Sequence, residues 1–224
     1  VNVEYDEEKL GKSVKYFPLV GAIIGVFLFA VNFLTGKITG NRQIIAIALI
    51  IAEILITGLI HIDGLADTAD GLFSYAKKEK MLEIMKDSRI GTNGTVILIL
   101  YFIAKFVFLS QVKSGYLLLY PIISRLSTSM NAGFGEYARK DGMSNGIIDQ
   151  NGKKEAIISI IIVALLSFGI MKIKGLTILL LAIIFILWFM QNVKRKIGGI
   201  TGDTMGASLE LTALLVLLAG IVLN

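Results

Sequence analysis

Residues 43–72 read QIIAIALIIAEILITGLIHIDGLADTADGL, a stretch that passes from an apolar run into three evenly placed aspartates. The apolar part, 43–60, is long enough to cross a bilayer as a helix, because such a crossing takes about 20 residues and tolerates about 17. The acidic part starts where the apolar part ends. The stretch therefore predicts a transmembrane helix that leads into a chemically active segment at the membrane surface.

Other apolar runs of comparable length lie on both sides of this one, at 17–34, 95–110, 115–134, 156–171, 176–193 and 205–223. Hydrophobic residues make up 55% of the 224 residues and charged residues only 17%, whereas a soluble domain averages roughly 25% charged residues. None of the runs alternates like a strand, and helices satisfy their own backbone groups in lipid. The sequence therefore predicts an all-α, polytopic integral membrane bundle of six to seven helices, forming one domain over residues 1–224.

The composition excludes several other classes of protein. The chain has no Cys and a single His, which excludes disulfides, thiolate chemistry and Cys-rich or His-rich metal sites. The net charge of +5 would raise the question of nucleic acid in a soluble protein. Here most Lys and Arg residues lie in the gaps between apolar runs, which is typical of a topology signal. We therefore expect the lipid bilayer, and no nucleic acid, as the partner.

Lys and Arg are unevenly divided between alternate gaps. The N-terminal segment and the loops 61–92, 135–155 and 194–204 hold 15 of the 22, and the remaining gaps hold five. Because positive residues accumulate on the cytoplasmic side, this asymmetry predicts a cytoplasmic N-terminus and seven crossings of the cell membrane. The three loops then face the cytoplasm and are the predicted active-site loops.

Asp63, Asp67 and Asp70 are spaced at i, i+4 and i+7. On a helix that advances about 100° per residue they fall within an arc of roughly 60°. Three carboxylates on one face repel each other unless a cation lies between them, and clustered oxygen ligands suit Mg²⁺ or Mn²⁺. We predict that all three bind Mg²⁺, with Asp70 also a candidate catalytic residue. Helix capping is the alternative, but a cap explains one aspartate rather than three.

Two more ionisable residues lie near the end of the apolar run. His61 is either an interfacial, hydrogen-bonded residue or a catalytic group, for which its ordinary pKa near neutrality is suited. Glu53 lies inside the run, where an ionisable group is costly and indicates function by default. The alternative for Glu53 is an ion pair with Lys105 or Arg125 across the bundle.

The second polar segment, 86–94, reads KDSRIGTNG. Its glycines allow backbone N–H groups to approach an anion, and the N-terminus of the following helix adds a favourable partial charge. Arg89 offers a bidentate fork for phosphate, and Asp87 is a candidate base or metal ligand. An ordinary charged surface turn would look similar.

The third polar segment, 194–207, reads KRKIGGITGDTMGA. Its glycines, with Thr and Asp between them, predict a flexible cradle for a phosphate or nucleotide at the start of the last helix. A tight turn with small residues for helix packing is the alternative. Arg125, inside an apolar run, is a further anion contact if it does not pair with Glu53. The predicted substrate-binding residues of the segment are Gly199, Thr201, Gly202 and Asp203.

Acidic metal ligands, glycine-rich anion cradles and arginines thus fall on one predicted membrane face. Together they are typical of phosphoryl transfer on a diphosphate. A cation neutralises the pyrophosphate, Arg and N–H groups hold the leaving phosphate, and a carboxylate or His accepts the proton of an attacking hydroxyl. The sequence contains no Walker loop, so ATP hydrolysis is not implied.

The segments HIDGLADTADGL at 61–72, MKDSRIG at 85–91 and GGITGDTMGA at 198–207 resemble the cobalamin synthase family, also called adenosylcobinamide-GDP ribazoletransferases. YFPLVG at 16–21 is similar to the same family, and the likeness runs in order over nearly the whole chain. Two departures are visible. The family usually opens with Phe-Leu-Thr-Arg-[Ile/Leu]-Pro, and this sequence starts after that position. Met205 stands where Leu is usual.

The resemblance implies a Mg²⁺-dependent last step of cobalamin assembly. The ribose 3′-hydroxyl of α-ribazole, or of its 5′-phosphate, attacks the phosphate next to cobinamide in adenosylcobinamide-GDP, and GMP leaves. The aspartates of 61–72 would hold Mg²⁺ and the pyrophosphate. Asp87 would complete the metal shell or act as base, Arg89 and the loop 198–203 would hold GMP, and His61 would position or deprotonate the nucleophile.

Two other functions stay open at this point. One is another Mg²⁺-dependent membrane phosphotransferase of the CDP-alcohol type, whose clustered aspartates are similar by analogy only. The other is a cation transporter that uses Glu53, Asp63 and Glu210 as an ion path. Transport predicts acidic residues spread through the membrane depth, whereas most of them lie at one predicted surface. The sequence is also compatible with a homo-oligomer.

Overall fold

The computed structural model describes residues 11–138 and 152–223, and the chain in these ranges is helical almost throughout. The described part contains no strand, only a single bridge between Tyr137 and Ile200. The prediction of an all-α fold is therefore confirmed. The described helices, in chain order, are α1 (Phe17–Ile38), α2 (Arg42–Thr57), α3 (Ile60–Leu72), α4 (Lys78–Ile84), α5 (Thr92–Gln111), α6 (Gly115–Phe134), α7 (Lys153–Ile197) and α8 (Gly202–Val222).

Helix α7 consists of two arms that meet at Lys172, where the backbone leaves the helical region with φ 51° and ψ −134°. A Cβ built at Gly175 would lie 2.1 Å from the carbonyl oxygen of Ser167. Eight residues of straight helix would separate these positions by about 12 Å. The chain therefore reverses direction at Lys172, and the two arms correspond to the predicted runs 156–171 and 176–193.

Four helical stretches of the described chain are long and apolar enough to cross a membrane, and the bent pair of α2 and α3 would make a fifth span. One of the four is α7, which supplies two arms. Helix α6 is 20 residues long but carries many polar residues. The prediction of six to seven spans is compatible with this architecture. The four stretches are Gly11–Ile38, Thr92–Gln111, Lys153–Ile197 and Gly202–Val222.

The predicted run 43–60 is divided by a sharp bend. Helix α2 ends at Thr57, and α3 leaves at an angle of 93° to it. Gly58 and Leu59 both adopt left-handed backbone angles, with φ of 68° and 64°. This conformation costs a non-glycine residue roughly 1–2 kcal/mol, so packing of α3 must hold Leu59 in place. The acidic segment that follows is helical, which is the conformation that the prediction from the aspartate spacing requires.

Helix α6 lies at the centre of the bundle, and 16 of its residues are buried. Helix α1 packs closely against it, because Gly21 and Gly25 lie directly on the backbone of Pro121 and Leu118. Small residues permit this approach of two backbones, as in other membrane bundles. The outer surface is apolar instead, with Leu55 78% exposed, as a lipid-facing surface requires.

The three polar segments lie at one end of this bundle. The turn between α5 and α6 marks the other end, where Asn32 donates a hydrogen bond to Ser114 over 3.3 Å and Gly115 lies beside Met171. The helices run alternately between the two ends. As a result the α2–α3 bend, the start of α5 and the start of α8 come together at the opposite end.

Candidate active site

Helix α3 crosses the start of α8 at very short range. A Cβ built at Gly64 would lie 2.8 Å from the carbonyl oxygen of Asp203, and one at Gly206 would lie 3.0 Å from the carbonyl oxygen of His61. Any larger side chain at either glycine would push the helices apart. The crossing therefore joins the first and third polar segments, which are far apart in the sequence.

Asp70 joins the first polar segment to the second. Its carboxylate accepts hydrogen bonds from the amide of Gly91 over 2.7 Å and from the amide of Gly94 over 2.8 Å. These amides belong to the N-terminus of α5, whose partial positive charge favours an anion. The glycine-rich turn thus does hold an anion, and that anion is a carboxylate of the chain itself. The predicted roles of Asp70 in metal binding and catalysis stay predictions, with both of its oxygens already engaged.

Asp63 and Asp67 line a pocket of about 400 Å³. Asp63 is exposed and Asp67 is half-buried. The pocket lies between α2, α3 and the first half of α5, and its remaining walls are mostly apolar. Those walls are formed by Ile54, Leu59, Ile62, Ala66, Ser88, Ile90, Leu98 and Phe102.

The three aspartates predicted to bind Mg²⁺ do not converge, and their role in metal binding stays a prediction. Among the described residues, no group of three or more His, Asp or Glu side chains is arranged to hold a metal ion. Asp63 and Asp67 nevertheless lie one helical turn apart beside a common pocket, while Asp70 is directed to the start of α5. Mg²⁺ commonly takes one or two protein carboxylates and completes its shell with water and substrate phosphates. The pair therefore fits Mg²⁺ without Asp70.

His61 faces away from these aspartates. It precedes Asp63 by two residues, which is about 200° around a helix. On its own side of α3 it lies within electrostatic range of the charged residues of four other helices, and its Nδ1 is buried without a hydrogen-bond partner among the described residues. His61 and the Asp63–Asp67 pocket are therefore on different sides of α3. The charged residues within this electrostatic range are Glu53, Lys105, Arg125 and Glu210.

A buried network of charges lies beneath His61. The ammonium of Lys105 is 2.9 Å from Glu53 and 3.6 Å from Glu210. Tyr120 donates a hydrogen bond of 2.7 Å to Glu53, and Tyr101 donates one to Glu210. The alternative given for Glu53, an ion pair across the bundle, is present, and Lys105 is the partner. Both carboxylates are therefore held at membrane depth by a cation of the chain itself, which counts against an ion path.

Arg125, the other cation considered for Glu53, has different partners. It is 5% exposed, and its guanidinium donates long hydrogen bonds to the carbonyl of Pro121, at 3.3 Å, and to Ser124, at 3.5 Å. Its predicted contact with substrate stays a prediction.

Asp87 and Arg89 form a bidentate pair in the link before α5. Nε and Nη2 of Arg89 donate to the two carboxylate oxygens of Asp87 over 3.0 and 2.7 Å, and the Arg89 amide donates over 3.0 Å. The guanidinium hydrogen bonds, followed by that of the amide, lower the pKa of Asp87 to about 2. The pair is exposed, and Ser88 between them lines the Asp63–Asp67 pocket. Asp87 itself lines a different surface pocket, with Lys80, Glu83 and Lys86. The two predicted residues are thus bound to each other next to the Asp63–Asp67 pocket in the sequence, and neither lines it.

The glycine-rich loop before α8 is held by backbone pairing. The amide of Ala138 donates to the carbonyl of Ile200, and the amide of Ile200 donates to the carbonyl of Glu136, each over 2.8 Å. A Cβ built at Gly199 would lie 2.4 Å from the Glu136 carbonyl oxygen. Gly199 is therefore required for the close approach of the two loops. Its predicted contact with substrate is a separate matter that stays a prediction.

Thr201 is the N-cap of α8. Its hydroxyl accepts from the amide of Thr204 over 3.2 Å, and the Thr204 hydroxyl accepts from the amide of Thr201 over 2.8 Å. Thr201 is fully buried, whereas Gly202 and Asp203 are half-buried. The predicted cradle thus begins α8 with a capping box, and Gly202 and Asp203 are its more accessible members. Their contact with a phosphate stays a prediction.

The comparisons with known proteins identify the family. The family model for cobalamin-5-phosphate synthase matches residues 1–221. This chain belongs to the cobalamin-5-phosphate synthase family. The family resemblance drawn from the polar segments is therefore confirmed.

Individual relatives of the cobalamin-5-phosphate synthase family match along most of their length. The adenosylcobinamide-GDP ribazoletransferase of Fusobacterium nucleatum is 38% identical, over 94% of this chain and 88% of the relative. That of Clostridium novyi is 38% identical, over 98% and 90%. That of Caldanaerobacter subterraneus is 37% identical, over 96% and 89%. No solved structure matches this chain.

Some structural contacts of this family member had no place in the sequence prediction. The ammonium of Lys196 donates a hydrogen bond of 3.0 Å to the carbonyl of Leu72, at the end of α3, and lies over the ring of Phe73. Lys196, the last residue of the basic triplet, therefore also caps α3. The Thr-x-x-Thr spacing at 201–204 is a visible capping signal. Of the predicted active-site loop 135–155, residues 139–151 lie outside the described ranges.

Proposed function

We propose that this chain is an adenosylcobinamide-GDP ribazoletransferase. It transfers the cobinamide phosphate of adenosylcobinamide-GDP to the ribose hydroxyl of α-ribazole or α-ribazole 5′-phosphate, and it releases GMP. The observation that supports this most is the meeting of three family segments at one end of the bundle. Gly64 touches Asp203, and Asp70 binds Gly91 and Gly94.

We propose that Mg²⁺ binds at the pocket lined by Asp63 and Asp67. When bound there, Mg²⁺ would offset the charge of the diphosphate. The two carboxylates would hold it from one turn of α3, leaving the rest of its shell to water and phosphate oxygens. The apolar walls would limit the access of water to the diphosphate.

The remaining predicted roles follow from the same pocket. Arg89 is exposed and lies between two residues that line it, Ser88 and Ile90. The N–H groups of its guanidinium that Asp87 does not bind would hold the GMP leaving group together with the accessible residues Gly202 and Asp203. Asp87 would orient that guanidinium through its bidentate hydrogen bonds. His61 would act on the acceptor from the α8 side of α3, because it is turned away from Asp63.

We propose that this end of the bundle faces the cytoplasm, since the described gaps at this end hold 12 Lys and Arg against five at the other end. The chain has no Cys, which permits a clean labelling test. A cysteine at Lys80 should react with an impermeant maleimide only in inside-out vesicles. A cysteine at Lys37, at the other end, should react only in right-side-out vesicles.

The function is tested with purified protein, adenosylcobinamide-GDP, α-ribazole and Mg²⁺, by measuring GMP release and the corrinoid product. The proposal expects GMP with this donor, and no CMP or UMP from a CDP- or UDP-activated lipid. GMP release from the cobinamide donor must also require the acceptor. Activity with the CDP- or UDP-activated lipid alone would instead indicate a phosphotransferase of the CDP-alcohol type.

A further inference from the structure

Lys105 is a buried cation that binds two carboxylates from two other helices. It lies on α5, and its partners Glu53 and Glu210 lie on α2 and α8. Lys105 is 2% exposed, Glu53 6% and Glu210 4%. None of the three contributes to the pocket of Asp63 and Asp67.

The positions of these residues relate them to the polar segments. Glu53 lies in the last turns of α2, directly before the bend at Gly58 that starts α3. Glu210 lies one turn beyond Gly206, on which the backbone of His61 rests. Lys105 lies on α5, whose first turn is bound by Asp70. The three helices that carry the polar segments are therefore tied together at one buried cation.

We propose that Lys105 is a positioning residue, which fixes α2 and α8 relative to α5 and thereby sets the crossing of α3 over α8. This inference rests on the proposed function for its catalytic readout. Lys105 itself touches no reacting group. Its effect on the reaction passes through the placement of Gly64 against Asp203 and of Asp70 against the start of α5.

The chemistry of the network favours positioning over simple stabilisation. Burying an ion pair costs desolvation, and well-packed apolar side chains of similar volume stabilise a fold as well or better. What an ion network adds is direction, because its hydrogen bonds are satisfied in only one arrangement of the helices. Tyr120 and Tyr101 add such directional bonds by donating to Glu53 and Glu210.

The negative charges of this network are shared by more than one buried cation. Two carboxylates face the single ammonium of Lys105, and Arg125 on α6 is the further cation close enough to act on it electrostatically. Removing Lys105 alone leaves two buried carboxylates without their cation. Removing the carboxylates together with Lys105 leaves no carboxylate without its cation, and Arg125 keeps its hydrogen bonds to Pro121 and Ser124. The two kinds of variant therefore separate stability from geometry.

The experiment compares three variants with the wild type. Lys105→Met should lower the midpoint of thermal unfolding, because two carboxylates lose their partner. The triple variant E53Q/K105M/E210Q should regain most of that midpoint. Lys105→Arg keeps the charge and should retain most of the kcat. Lys113→Met, an exposed substitution at the other end of the bundle, is the matched control and should behave as the wild type.

If Lys105 is a positioning residue, the triple variant should fold but catalyse the transfer slowly. Its kcat should fall roughly 10- to 100-fold, as misplacement of distant groups can cause, while KM for the cobinamide donor stays close to that of the wild type. Backbone hydrogen exchange should be faster in 60–72, 91–94 and 201–206, with the core of α6 unchanged.

Two outcomes overturn the inference. One is a triple variant with wild-type kcat and wild-type exchange, which would leave only a stabilising role. The other is a change of KM alone in the triple variant. The exchange measurement decides between positioning and stability even if the wild type shows no transferase activity, and that absence would count against the proposed function instead.

Discussion

The carboxylate of Asp70 and the amide of Gly94 belong to different helices and form a hydrogen bond of 2.8 Å. The amide of Gly91 donates to the other oxygen of the same carboxylate over 2.7 Å. Asp70 thus occupies the place at the start of α5 where a bound phosphate would lie. The first and second polar segments form one structural unit through this contact.

Gly94→Ala should break that unit. A Cβ at Gly94 would lie 2.4 Å from an oxygen of Asp70, so the carboxylate must move and lose its backbone donors. An unsatisfied buried carboxylate costs about 1–3 kcal/mol or more, and we expect this loss in the free energy of unfolding, together with loss of GMP release. Gly169→Ala is the control, because nothing lies within 4 Å of its Cβ. Equal stability of both variants would contradict the capping role of Asp70.

Asp67→Asn should raise the Mg²⁺ concentration needed for half-maximal GMP release, since an amide is a weaker ligand for a hard cation than a carboxylate. Asp63→Asn should act in the same direction. The measurement is a Mg²⁺ titration at saturating donor, with the exposed Glu79→Gln on α4 as control. Full activity of Asp67→Asn at ordinary Mg²⁺ would show that the proposed metal site is wrong.

Asp87 should stay ionised over the whole working range, because Arg89 lowers its pKa to about 2 from an ordinary value of 3.8. A carboxyl with a lowered pKa contributes stability above its ordinary pKa and loses it as the pH falls through the lowered one. The difference in unfolding midpoint between wild type and Asp87→Asn should therefore be constant from neutral pH down to 3.8 and vanish near pH 2.

The same pKa bears on the role of Asp87 in catalysis. Such a weak base is poorly matched to proton abstraction near neutral pH, so Asp87 is better suited to orienting Arg89. We expect Asp87→Asn to raise KM for the cobinamide donor more than it lowers kcat. A pH–rate profile in which Asp87→Asn removes an acidic limb near neutrality would contradict this.

The sequence predicted the helices well because their apolar length is a local property. It could not predict the bend at Gly58 and Leu59, because nothing in the composition requires a leucine in the left-handed region. For Glu53 the sequence offers function or an ion pair, since a lone charge at membrane depth is costly. Which of Lys105 and Arg125 supplies the cation depends on helix packing, and packing is not visible in one sequence.

The sequence predicted which residues belong to the candidate site, but it did not predict how they are arranged. A rotation of 100° per residue correctly places Asp63 and Asp67 on one face of the helix. The same rotation places His61 on the opposite side of the helix from Asp63. The contact of Asp70 with Gly91 and Gly94 spans two helices and leaves no local signal. Long-range pairing is therefore where sequence reasoning failed.

His61→Asn should lower kcat without changing the Mg²⁺ dependence, because His61 lies on the opposite side of α3 from the proposed metal ligands. The measurement is the same Mg²⁺ titration as for Asp67→Asn. The two effects should also be independent in the double variant, since distant groups without shared partners behave additively. A shifted Mg²⁺ requirement in His61→Asn would place the imidazole at the metal after all.

Thr201→Ala separates a capping role from a substrate contact. Thr201 is fully buried and caps α8, and loss of an N-cap hydroxyl costs about 0.5–2 kcal/mol. We expect a lower midpoint of thermal unfolding, and recovery in Thr201→Ser, which keeps the hydroxyl. Thr177→Ala is the control, because its hydroxyl bonds only within α7, to Ile173. An unchanged midpoint with a raised KM for the donor would mean that the hydroxyl binds substrate and leaves the start of α8 to other contacts.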